Sequence, residues 1–131
     1  MLGEKIAEAQ GKVIGTRVLP DGRVEVSVQE SGQILGVDDT EIATFWSEPR
    51  PGGVMYGEGQ GVLMTKDGET VSFKGSGVGK PTGVGMGATW RAALTYQTAS
   101  QRLARLNGVV GIIEFEVDAN GNTRGKVWEW K

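Results

Sequence analysis

The chain contains no cysteine and no histidine. Without thiols there is no disulfide framework, no thiolate nucleophile and no cysteine-bound zinc. Without imidazole the usual general base near neutral pH is missing. Catalysis would have to rest on Asp, Glu, Lys, Tyr, Ser or Thr, and a metal site would be built from oxygen alone. No metal site and no cofactor are expected. An excess of one charge is lacking too: 14 Lys and Arg stand against 16 Asp and Glu, a net charge of −2. There is neither the basic stripe of a nucleic-acid binder nor the basic amphipathic face of a membrane-surface binder. Neither nucleic acid nor membrane is therefore an expected partner. Met1 to Lys12 has no signal-peptide apolar run, and no stretch is long enough to span a bilayer as a helix. The expected compartment is cytoplasmic.

What is present points to β structure. With 131 residues, 38% of them apolar, the chain can build one core, and a single domain over residues 1–131 is expected. Only 4 prolines interrupt it, whereas 22 glycines are interleaved with Val, Met, Tyr, Phe and Trp, a mixture of strands with close approaches and bulges rather than a linker. Arg23-Val24-Glu25-Val26-Ser27-Val28-Gln29 alternates apolar and polar residues, as a half-buried strand does. Pro20-Asp21-Gly22 before it is a turn signal, so a first strand is expected from about Lys5 to Leu19.

Further strands are expected over Thr40 to Trp46, stopped by Pro49 and Pro51, and over Val54 to Thr65. A hairpin turn at Lys66-Asp67-Gly68 leads into Glu69 to about Gly77, broken by Pro81. Met86 to Thr98, Val109 to Val117 and Thr123 to Trp130 complete the set. Trp90, Ala92, Leu94 and Tyr96 alternate, which favours a strand there; a single long helix through Ala88 to Leu106 is the alternative. Ser100 to Leu106 reads as a turn or one short helix. Eight strands with short turns imply an all-β fold, a closed antiparallel eight-stranded barrel, which pairs every edge.

Two glycine motifs fail as nucleotide sites. Gly75 to Thr82 lacks the first glycine of a phosphate loop, where Lys74 stands, and has Pro81 where Ser or Thr would reach magnesium. Gly83-x-Gly85-x-x-Ala88 fits the dinucleotide fingerprint only formally, because no βαβ unit surrounds it. Gly57-Glu58-Gly59-Gln60-Gly61 carries more information. In a strand its glycines share one face, with Tyr56, Glu58, Gln60 and Val62 on the other. Such a face permits either a pocket, with Glu58 or Gln60 as polar anchors, or simple barrel curvature with both residues on the surface. Trp46, Tyr56, Phe73, Trp90, Tyr96 and Phe115 fall on the expected strands and either line a small-molecule cavity or fill the core. The candidate ligand-binding residues are thus Trp46, Tyr56, Glu58, Phe73, Trp90 and Tyr96; no catalytic residue is assigned. Trp128 and Trp130 share a face that is either core or a subunit contact, and a homo-oligomer is expected. Glu114, Glu116 and Asp118 read as a solvated strand face and a turn.

Leu103 to Gly111, Glu114-Phe115-Glu116-Val117-Asp118, Trp128-Glu129-Trp130, Gly57 to Gly61 and Tyr96-Gln97-Thr98 together resemble a family of small uncharacterised bacterial proteins with a calycin-like, allene-oxide-cyclase-like barrel. The resemblance runs from about Val54 onward and implies the barrel fold. It implies no activity, and no stretch matches a catalytic segment of the plant cyclases. A lipocalin is disfavoured, because Gly15 is followed by Thr16 and Arg17 rather than by the Gly-x-Trp signature. Three functions stay open: a barrel binding a small apolar ligand, an isomerase or cyclase on an apolar substrate using a carboxylate such as Glu58, and a structural, oligomeric barrel without a ligand.

Overall fold

The computed structural model describes all residues from Met1 to Lys131. Eight strands follow one another: β1 (Leu2–Val18), β2 (Val24–Ile34), β3 (Val37–Arg50), β4 (Val54–Thr65), β5 (Thr70–Pro81), β6 (Ala88–Gln97), β7 (Val110–Val117) and β8 (Asn122–Trp130). Each pairs antiparallel with its sequence neighbours, and β1 pairs with β8 to close the barrel. No helix is long and apolar enough to cross a membrane. The only helical element is a 3₁₀ turn, Ala104–Gly108. The long helix considered for Ala88 to Leu106 is thereby excluded. The alternation of Trp90, Leu94 and Tyr96, all buried, with exposed Arg91, Thr95 and Gln97 prevails over the helix-tolerant composition.

Several strands run further than their sequence signals imply. β3 passes through Pro49 instead of stopping at Trp46. Its pairing with β2 ends at Val24–Ser47, so Pro49 has a neighbour on one side only, where a missing N–H is tolerated. Pro81 likewise lies at the end of β5 opposite Ala88 rather than beyond a strand ending at Gly77. β2 and β3 meet in a two-residue turn at Leu35 and Gly36, both left-handed, with φ of 48° and 78°. Leu at such a position is strained, but its side chain packs against the core, which offsets the cost.

One end of the barrel is filled. Ile6, Ile34, Leu63, Val71, Tyr96 and Val127 converge there on Leu103 and Leu106, which the segment between β6 and β7 lays across the opening. Polar contacts at the rim hold this plug: Ser100 Oγ donates to Glu69 Oε2 at 2.6 Å, Arg102 pairs with Asp67, and Arg105 bridges Glu4 and Glu129. Trp128 and Trp130 lie on the outer wall, since β8 turns Thr123, Gly125 and Val127 inward. The core reading of these two indoles is thereby corrected.

Candidate functional site

Beyond the plug the interior opens into a cavity of about 110 Å³. Its walls come from β2 to β7, notably Val28, Phe45, Phe73, Trp90, Ala92, Ile113 and Phe115. Phe45 stands edge-on to both Trp90 and Phe115, with ring centroids 5.8 and 5.9 Å apart. Phe45, Phe73 and Phe115 point inward yet are only partly buried, and the surface they keep is cavity wall.

The glycine strips of β4 and β5 make room for these rings. Gly57 pairs with Gly77 and Gly59 with Gly75 across the two strands, all facing inward. A Cβ on Gly57 would come within 2.9 Å of the Trp90 ring, and one on Gly79 within 2.7 Å. The absent side chains are therefore replaced by indole, and only part of the space they leave is empty.

Between the cavity and the plug lies a layer of carboxyl groups. Glu30 on β2 pairs directly with Glu41 on β3, and both face inward, as does Asp39. Thr123 Oγ1 donates to Glu30 Oε2 at 2.6 Å. Asp39 Oδ1 is buried without a hydrogen-bond partner. Burial, reinforced by the charge of Glu30 and a hydrogen bond with it, pushes the Glu41 carboxyl up to about 9. Burial, then the neighbouring charges of Asp38 and Glu30, raises Asp39 to about 6. Burial, followed by the charges of Glu41 and Asp39, also raises the Tyr96 phenol. Near neutral pH, Glu41 is thus a protonated acid able to donate a hydrogen bond. A second, smaller space of about 40 Å³ lies on the plug side of this layer, beside Asp39, Tyr96 and Ile34.

Of the six residues singled out by sequence, Phe73, Trp90 and Glu58 border the cavity, while Tyr96 belongs to the closed end. The side chains of Trp46, Tyr56 and Glu58 lie together on the outer wall, because the strands turn Phe45, Gly57 and Gly59 inward. There Trp46 and Tyr56 meet at 5.8 Å, Arg23 and Arg50 cover their rings, and Tyr56 Oη donates to Glu58 Oε2 at 2.7 Å. The Glu58 side chain is thus exposed and engaged by Tyr56, although the residue itself borders the cavity between Gly57 and Gly59. Glu30, Asp39, Glu41 and Phe45 were missed. Extending the alternation of Val24, Val26 and Val28 by one step would have placed Glu30 inside.

No family model and no curated protein matches the chain. Among solved structures, a protein of unknown function from Clostridium acetobutylicum ATCC 824 superposes with a TM-score of 0.82 at 12% identity, over 98% of this chain and 97% of that one. A conserved protein of unknown function from Rhodopseudomonas palustris gives 0.78 at 11% identity, over 98% and 97%. A beta-barrel like protein from Acinetobacter baumannii AYE gives 0.77 at 13% identity, over 100% and 96%. At these identities the likeness is one of fold: the chain shares its closed β-barrel with these bacterial proteins, two of which are described as of unknown function.

Proposed function

We propose that the protein is a non-catalytic barrel of the calycin-like, allene-oxide-cyclase-like kind that binds a small, largely apolar molecule. The carrying observation is the cavity of about 110 Å³ walled by Phe45, Phe73, Trp90 and Phe115. Apolar cavities of roughly 150 Å³ take up benzene, so a single-ring compound is the right scale. Trp90 is the one tryptophan of 4 that borders the cavity, so an apolar aromatic probe should change its fluorescence saturably. Ala92→Phe should abolish that change by filling the space beside Trp90, at a stability cost of ~1–3 kcal/mol. Glu58→Gln, on the outer wall, should leave it untouched. A folded protein that binds no apolar probe would make this a filled, structural barrel.

One observation favours a second reading, an isomerase or cyclase acting on an apolar substrate. The protonated Glu41 carboxyl adjoins Glu30 within reach of the cavity, an arrangement suited to proton transfer. This pair of carboxyls, rather than Glu58, is the one such an activity would use.

We also propose a second copy of the chain as the partner of the outer wall. Trp130 is 59% exposed beside the exposed Leu2, its β1 neighbour, and Ile42 and Val62 form a further exposed cross-strand pair. Light scattering at micromolar concentration should give at least a dimer mass; a monomer mass refutes the assembly.

A further inference from the structure

The carboxyl layer lacks a counter-charge. Glu30 is 6% exposed and Asp39 8%, and Asp39 Oδ1 has no partner. The inward polar groups at this level are Glu30 from β2, Asp39 and Glu41 from β3, Tyr96 from β6 and Thr123 from β8; Glu8 from β1 and Gln33 from β2 also border the smaller space, but both are exposed, Glu8 paired with Lys5 and Gln33 with Asp38. The inward residues of β4, β5 and β7 at this level, Leu63, Phe73 and Ile113, carry no charge. All 14 Lys and Arg side chains lie at the surface, and Arg23, the least exposed, rests on Trp46 outside. Desolvated carboxylates need a proton or a cation, and an orphaned carboxylate oxygen needs a donor.

The space above the layer suits the rest of such a donor. On β3, Glu41, Ala43 and Phe45 are successive inward residues, ~7 Å apart per step. A ligand one ring long, with its head at Glu41, would lay its body among Phe45, Trp90 and Phe115. Their ring faces attract cations as well as apolar groups. We propose that the barrel takes a small organic ammonium ion, its apolar body in the larger cavity among these rings and its head at the smaller space that Glu30, Asp39 and Glu41 all border, with its N–H donors on these carboxyls. This deepens, and rests on, the cavity-binding reading above.

Binding involves a defined proton movement. The free protein holds a proton on Glu41 near neutral pH. An ammonium head favours the ionised carboxylate, so this proton leaves for the buffer while the cation takes its place.

The test compares benzylamine with benzyl alcohol, a neutral ligand of nearly the same size, by Trp fluorescence and calorimetry near pH 7. The amine should bind at least about tenfold more tightly, a charge-assisted hydrogen bond being worth that much. Its binding enthalpy should depend on the buffer's ionisation enthalpy, reporting proton release, while that of the alcohol should not. Glu30→Gln should remove most of the amine's advantage and leave the alcohol's affinity unchanged. Should that variant fail to fold, Asp39→Asn should remove the same advantage, and proton release by the unaltered protein remains a second readout. Equal binding of both compounds without proton release overturns the cation site and leaves the apolar-binding reading standing. Binding of neither compound to folded protein overturns the cavity-binding reading itself.

Discussion

Raising the pH from about 5 to about 9 should progressively weaken the folded barrel. The Glu41 carboxyl lies at about 9 in the folded protein against an ordinary value of 4.5, and Asp39 at about 6 against 3.8. Between each pair of values the folded state keeps a proton that the unfolded chain has released. Stability is therefore greatest below the unfolded value and is lost as the pH climbs toward the folded one. A whole-proton difference corresponds to a slope of ~1.4 kcal/mol per pH unit, so several units add up to a large fraction of a small domain's stability. Asp39 contributes only up to about pH 6, and Glu41 sustains the decline above that. Denaturation midpoints measured across the range should fall steadily. Glu41→Gln keeps the shape, cannot ionise, and should flatten the profile on the alkaline side. A flat profile for the unaltered protein would mean that these carboxyls are solvated.

Leu106→Ala should cost ~2–5 kcal/mol, the range for emptying a well-packed leucine site. Leu106 is 0% exposed and sits with Leu103 among the converging side chains that close one end of the barrel. The 3₁₀ turn carrying it has no side-chain cap and spans five residues, so its own hydrogen bonds contribute little and the two leucines provide most of its hold. Removing one leaves a void that the strand ends cannot collapse into, because the closed ladder fixes their spacing. The exposed ion pair of Arg102 with Asp67 makes the useful contrast: Arg102→Ala should cost far less. Chemical denaturation of both variants at constant pH would measure the difference. A Leu106→Ala variant as stable as the parent would show the plug to be a loosely attached flap.

The barrel was legible because its strands announce themselves locally. Val24 to Val28 alternate cleanly, Asp67-Gly68 and Asp118 to Gly121 are recognisable turns, and the order of turns dictates a meander. The carboxyl layer was not legible for an equally local reason. The β2–β3 turn uses Leu35-Gly36 where Asn-Gly or Asp-Gly would have given it away. With that hairpin hidden, the signals of β2 stop at Gln29 and those of β3 start at Thr40, which leaves Glu30 and Asp39 outside any strand and without a face. Glu41 falls inside a recognised strand, but an acidic residue is normally solvent-facing. Trp46, Tyr56 and Glu58 stand out for the opposite reason. Aromatic and acidic residues beside a glycine strip suggest a pocket, yet the period of two turns their side chains to the outer face of the wall that the glycines line.

The seam between β1 and β8 has a kinetic consequence. Every other neighbouring pair of strands is consecutive in the chain, so seven pairings can zip up as short loops close. The seam instead joins Leu2 to Trp130. The entropy of closing so long a loop is only recovered once the rest of the sheet has formed and curled. Two register shifts in β1, between Leu2 and Lys5 and between Lys5 and Ala7, further shorten the regular ladder available to start it. Folding should therefore pass through an open, curled sheet with β1 and β8 as free edges, and mutations at the seam should speed unfolding more than they slow refolding. During synthesis β1 must wait for the last strand to emerge, and in that interval its unpaired backbone is the chain's main opportunity to join the wrong partner.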